Sequence, residues 1–204
     1  MTSVFDKHGR HLPVTVHEVG PCTVLQRKTV AAEGYDAVQC GFGEHRESRT
    51  TKALVGHCKK SGATPKRHLR EFELDPGEDL KAGDVVTATM FQGIAFVDVT
   101  GITKGRGFQG VVKRYRMRGG PMTHGGASKR RIGAIGCRAL PGRIHKNKRM
   151  PGHMGHLRVT TQNLRVVQVV PEDNLLVVQG AVAGPTGGLV AVTKARKTRA
   201  AKTS

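Results

Sequence analysis

Histidine and cysteine are the residues of this chain best suited to catalysis or metal binding, and their spacing argues against both. The 204 residues include ten His and four Cys. Cys22, Cys40, Cys58 and Cys137 are scattered, with no C-x-x-C pair to build a zinc centre or a redox couple. The first residues lack a basic-then-apolar secretion pattern, so the thiols are expected to stay reduced rather than form a disulfide framework. His153 and His156 stand close in sequence, but Gly152 and Gly155 deny them a rigid helical frame. No carboxylate lies nearby to complete a ligand set or orient an imidazole. Ser128 or Cys137 as nucleophile would need an orienting acid, and their segment contains none.

Gly105-Arg106-Gly107-Phe108-Gln109-Gly110 fits the G-x-G-x-x-G pattern behind an expected strand. A dinucleotide site needs a helix next and an acidic residue roughly 20 positions on. The chain continues instead with β-branched and basic residues from Val111 to Arg116, and then with Lys129-Arg130-Arg131. No acid–base pair, phosphate loop or zinc motif is left. A binding protein is expected, not an enzyme, with no cofactor, no metal and no small-molecule substrate.

Charge says what it binds. The formal net charge is +19 and the isoelectric point about 10.6. Uncompensated positive charge repels itself in a compact state, so a polyanionic partner is expected. No apolar run reaches the ~20 residues that cross a bilayer, which leaves nucleic acid in the cytoplasm rather than a membrane. Residues 1–98 balance 13 Lys and Arg against 13 Asp and Glu. Residues 99–171 carry 16 Lys and Arg with no acid at all. One contiguous segment holds nearly the whole excess.

That segment is also rich in glycine, with 13 of the chain's 27 falling between 101 and 155. Its few large apolar residues follow neither a helical nor an alternating period, so it cannot offset its ordering entropy by burying itself. It is expected to be an irregular arm that orders against a polyanion. Eleven of its 16 cations are Arg, whose planar fork grips phosphates in pairs of hydrogen bonds and stacks on bases, as folded RNA requires. The expected RNA-binding cations begin with Lys104, Arg106, Lys113, Arg114, Arg116 and Arg118. They continue through Lys129, Arg130, Arg131, Arg138 and Arg143 to Lys146, Lys148, Arg149 and Arg158. Tyr115 and the imidazoles of His124, His145, His153 and His156 are expected to stack on bases or hydrogen-bond to them.

The flanks must position this arm, and they read as β-structure. Strands are expected at 11–19, Cys22–Lys28, 35–42, 84–90 and 95–103, and again at 157–170, 175–182 and 189–194. Short antiparallel strands at this spacing suggest a barrel or a sandwich. Residues 44–75 read as a small insertion with a helix at 51–60, an extended stretch at 71–74 and a closing Asp75-Pro76-Gly77 turn. The arm leaves after Thr103 and returns at Leu157, so its ends are anchored to strands. A nucleic-acid-modifying enzyme with a basic channel, or an RNA chaperone acting on its own, would share these features and stay open as alternatives.

The sequence resembles the bacterial-type members of the universal large-subunit ribosomal protein three family. The resemblance starts at Met1-Thr2-Ser3-Val4-Phe5-Asp6 and runs through Pro13-Val14-Thr15-Val16, Gly20-Pro21-Cys22 and Gly83-Asp84-Val85-Val86. Its most specific block is Thr103 to Arg114. Thr123-His124-Gly125, Pro141-Gly142-Arg143 and Lys148-Arg149-Met150-Pro151-Gly152-His153-Met154-Gly155 follow in family order, and Asn174 to Val182 completes it. The resemblance implies a mainly β fold: a translation-protein-type β-barrel from 1–103 and 157–204, with a small α/β insertion and a long irregular basic extension at 104–156. It implies a structural constituent of the large ribosomal subunit that binds 23S-type rRNA directly and helps nucleate assembly. Neighbouring large-subunit proteins are implied as further partners, and residues 142–156 as a support near the peptidyl-transferase centre. Family members carry a basic strand before the Met-Thr pair, so the first barrel strand is expected to be missing or replaced here. Many bacterial members have a methylated glutamine where this chain has His153, and that modification does not carry over.

Overall fold

The computed structural model describes residues 1–74 and 79–197, so the expected Asp75-Pro76-Gly77 turn lies outside the described residues. In chain order the elements are β1 (Thr2–Phe5), β2 (His11–Glu18), β3 (Cys22–Lys28), α1 (Val30–Glu33), β4 (Ala37–Glu44), α2 (Lys52–Lys60), β5 (Lys66–Glu73) and β6 (Val85–Val86). They continue with β7 (Phe96–Ile102), β8 (Phe108–Gln109), α3 (Val111–Tyr115), β9 (Gly152–His153), β10 (Arg158–Val170), β11 (Leu175–Gln179) and β12 (Val190–Lys194). The chain divides into two compact units, whose boundaries in sequence fall inside β7, β10 and β12.

The first unit comprises Met1–Val97, Asn163–Ala181 and Lys194–Ser204. One antiparallel sheet in it runs β5-β4-β3-β6. Strand β3 slips register between Val24 and Gln26 against β4, and that bulge lets the consecutive residues Val24 and Leu25 both be buried. Val24, Val38 and Cys40 form the core here, with Cys22, Phe72, Leu74, Leu80 and Val86 packed around them. Burial pushes the Cys40 thiol up to about 11 and also raises that of Cys22. Helix α2 fixes itself through Cys58, which is 1% exposed, and through His57, whose ring nitrogen meets Gln39 Oε1 at 2.6 Å. The second run of strands in this unit is β1-β2-β11-β10, with Val14, Leu176 and Val178 fully buried between its faces and their cover.

Three expectations change. Residues 66–73 form one full strand pairing with β4 from Ala37↔Glu73 to Glu44↔Lys66, where sequence suggested a shorter extended piece. The basic run there suits a sheet edge, where charged side chains face water and block further pairing. Residues 84–90 give only the two-residue β6, because Ala88 and Phe91 turn inward at helical spacing in a 3-10 turn. The fold is mainly β as expected, but no closed barrel forms among the described residues: the sheet ends at charged β5 and two-residue β6, and exposed β1 pairs only with β2. Thr2–Phe5 itself is a strand, joined to β2 through the turn in which Gly9 N–H donates to Asp6 O at 2.8 Å.

The second unit comprises Asp98–Gln162 and Val182–Thr193. Three of its strands run in the order β10-β7-β12, and β8 pairs with β9 in a separate two-stranded sheet. Val99 is fully buried, and Thr100 Oγ1 meets Thr160 Oγ1 at 2.8 Å across the two strands that carry the arm. Gly101 has no room for a side chain, since an added Cβ would sit 2.5 Å from the Ala183 oxygen.

Candidate nucleic-acid interface

The arm is rooted by a double exchange at its base. Thr103 N–H donates to Leu157 O at 2.9 Å, and His156 N–H donates to Thr103 O at 3.2 Å. Leu157 N–H also reaches Thr103 Oγ1 at 3.2 Å. The limbs stay together further out: Arg106 N–H donates to Met154 O and Met154 N–H to Gly107 O, both at 2.9 Å. Phe108 then pairs with His153 and Gln109 with Gly152. This close approach depends on Gly155. It lies at φ +77°, and a Cβ there would collide with the Lys104 oxygen and meet Arg106 N at 3.0 Å.

A five-residue helix follows Gly110, although β-branched Val111 and Val112 do not favour one. Burial of Val111, 2% exposed, outweighs that preference. The turn stops at Arg116, whose φ of 57° ends the helical path. So a helix does follow the glycine-rich run, contrary to expectation, yet the acid a dinucleotide would need is missing from the sequence that follows.

Helix α3 gathers Arg114, Tyr115 and Arg149 into one cluster. Arg114 Nη1 donates to Met150 O at 2.8 Å. The Arg114 guanidinium stands 5.0 Å from the Tyr115 ring centroid, and that of Arg149 stands 5.7 Å from it. Gly152 faces Arg114, with the place of a Cβ only 2.6 Å from Nη1. Two guanidiniums on one electron-rich ring form a fixed pair of forks without a carboxylate between them.

Beyond Met117 the arm is built of turns and bends. Gly120 N–H donates to Lys129 O at 3.0 Å, and Gly119 and Gly120 press so close to 128–129 that neither tolerates a side chain. Arg114 and Tyr115 are half-buried; every other cation and imidazole expected at the interface is exposed. The structure therefore brings together Arg114, Tyr115 and Arg149, and sets His153 beside the root. The remaining expected residues are strung out along the loop rather than gathered. In contrast, Arg27, Lys28, Lys59 and Arg196, which lie outside residues 99–171, each pair with a carboxylate.

One residue escaped the sequence reading. Phe108 is 77% exposed and sits directly across the ladder from exposed His153, so the two rings project from the same face. The sequence carries its signal, a lone aromatic inside a glycine-rich run between Arg106 and Lys113. Among the described residues, no group of three or more His, Cys, Asp or Glu could hold a metal ion. No described helix is long and apolar enough to cross a membrane.

Known proteins match this chain. The family model described as Ribosomal protein L3 matches residues 71–176. Large ribosomal subunit protein uL3 of Brachyspira pilosicoli is 45% identical over 197 residues, spanning 97% of this chain and 90% of that protein.

Proposed function

The chain belongs to the ribosomal protein L3 family and is a structural constituent of the large ribosomal subunit, not an enzyme, and on that premise we propose that its arm binds large-subunit rRNA directly. In a bacterium such a protein resides in the cytoplasmic ribosome. The carrying observation is the exposure of the arm's cations in a segment of 73 residues, 99–171, with no carboxylate to neutralise them. Buried among phosphates, each cation replaces condensed counterions, whose release drives association.

On this reading residues 104–156 enter the folded RNA while the β-rich remainder anchors both ends. Arg114 and Arg149 clamp phosphate beside Tyr115, and Phe108 with His153 offers rings to an unstacked base. Residues 142–156 form the inner part that supports the region of the peptidyl-transferase centre, and neighbouring large-subunit proteins cover the rest. An arm that gains its order from RNA favours binding early in assembly, before the RNA closes around it.

The test is salt-dependent binding of the full chain to a transcript of large-subunit rRNA. With about ten phosphates neutralised, log affinity falls against log salt with a slope of roughly −7 to −9. Replacing Arg114, Arg116 and Arg118 together with Ala weakens binding and flattens that slope. Unchanged affinity and slope at moderate salt would falsify the reading.

A further inference from the structure

The arm is not the only place where cations collect without counterions. In the first unit, His45, Arg46, Arg49 and Arg67 line an open cleft of about 540 Å³. Residues 1–98 balance 13 cations against 13 acids, but the stretch 44–70 that builds this cleft carries eight Lys and Arg against Glu44 and Glu47. Two chain segments build it. The turn after β4 brings His45, Arg46 and Arg49, and β5 brings Arg67.

The turn is held in shape from within. His45 N–H donates to Pro65 O at 2.9 Å, which fixes the turn against the start of β5. The His45 ring nitrogen Nδ1 meets Thr50 Oγ1 at 2.7 Å, and that hydroxyl donates to Arg46 O at 2.9 Å. Arg49 N–H donates to Arg46 O at 3.0 Å, so both guanidiniums spring from one tight turn. Across the ladder, a Cβ placed on Gly43 would stand 3.7 Å from the Arg67 Cβ, so glycine leaves that side of Arg67 open. The ordering cost of this framework is met before any ligand arrives.

The charge is also unspent. Glu47, the nearest acid in the turn, points to Lys59 at 3.6 Å. Among the described residues Arg46, Arg49 and Arg67 have no carboxylate within ion-pair distance. Next to the cleft, burial holds the His68 imidazole below its ordinary pKa, and the charges of Arg67 and Arg70 push the same way.

We propose that this cleft is a second RNA-binding site, in which Arg46, Arg49 and Arg67 grip backbone phosphates of rRNA outside the arm. Three planar forks around a hollow match the spread of oxygens on a phosphodiester, each able to donate two parallel hydrogen bonds. All three arginines are exposed along an open rim, which suits a strand passing through rather than a small anion enclosed. The proposal rests on the rRNA-binding role proposed above, and adds a separate anchor belonging to the first unit.

The experiment compares three full-length proteins on the rRNA transcript: wild type, the cleft variant Arg49→Ala/Arg67→Ala, and the arm variant with Arg114, Arg116 and Arg118 replaced. The cleft variant is expected to bind about tenfold more weakly and to reduce the salt slope by about two. A cleft variant that binds as wild type while the arm variant weakens overturns the second site and leaves the arm reading standing. A cleft variant that loses only inorganic phosphate, not RNA, also overturns it. If neither variant differs from wild type, both readings fall. A measurement without substitutions covers the case in which the double variant misfolds. Arg46, Arg49 and Arg67 should react with phenylglyoxal in the free protein and be shielded in assembled large subunits; equal reactivity in both would overturn the site.

Discussion

Arg114 and Met150 lie 36 residues apart, yet the Arg114 guanidinium donates to the Met150 main-chain oxygen at 2.8 Å. That bond joins the outgoing and returning limbs of the arm just beyond the last ladder rung, Gln109 with Gly152. A guanidinium has five donors, so the one spent here leaves others free beside Tyr115. One side chain thus closes the neck of the arm and presents charge from it.

Arg114→Lys separates those two roles. Lysine keeps the charge but has no planar fork with which to bridge the limbs while facing outward. The neck should loosen by about 1 kcal/mol, the worth of a half-buried hydrogen bond. Hydrogen exchange at the Arg106 and Met154 amides should accelerate severalfold; wild-type protection at both would show that the bond carries no weight.

Gly155→Ala attacks the same neck from the main chain. A left-handed backbone costs an L residue about 1–2 kcal/mol, and the new methyl would also strike the Lys104 oxygen. Limited proteolysis should then cut between 104 and 156 at least tenfold faster than in wild type. An unaltered cleavage pattern would contradict the tight approach.

Phe108→Ala should lower affinity for the rRNA transcript by about 1–3 kcal/mol, the value of one stacked base. Since Phe108 neutralises no phosphate, the salt slope should stay put, which separates stacking from charge. Phe108→Trp should restore binding. A variant that changes the slope but not the affinity at low salt would rule out a stacking role.

His17 makes the first unit sensitive to acid. It is 9% exposed and its Nε2 has no hydrogen-bond partner. Burial, and next the charge of the N-terminus, hold its pKa below the usual 6.5. The unfolded chain therefore takes up a proton at a pH where the native one does not. Stability from this group is complete above about pH 6.5 and is lost as pH falls through the lower native value. Urea midpoints should drop between pH 7 and pH 5, and His17→Gln should flatten that part of the profile. An equal drop in both proteins would assign the acid sensitivity elsewhere.

Strands such as β3, β10 and β12 were legible because apolar and β-branched residues bounded by turn residues mark them, and the helix expected at 51–60 runs from Lys52 to Lys60 behind Thr51. Residues 66–73 were harder. Their cations look like a loop until a partner strand supplies pairing, and an edge tolerates charge that a central strand would not. Strand spacing left a barrel or a sandwich open and the family resemblance implied a barrel, but closure depends on register and edge geometry that no local pattern encodes. In the arm, charge and glycine content pointed to a polyanionic ligand. They did not reveal that Arg114 turns back onto Met150, or that Phe108 faces His153, since both are relations between limbs far apart in sequence. The cleft at Arg46 and Arg67 was hidden for the same reason, since the neutral balance of residues 1–98 as a whole masks a local excess of cations and only the fold brings those cations together.

Cys137 lies exposed in the middle of the arm, while Cys40 and Cys58 are buried and Cys22 is half-covered with a thiol slow to ionise. A maleimide dye at neutral pH should therefore attach at one place, and that place is on the loop. The wild-type chain thus carries its own attachment point for a fluorophore, so the proposed entry of the loop into ribosomal RNA could be timed without altering a single codon.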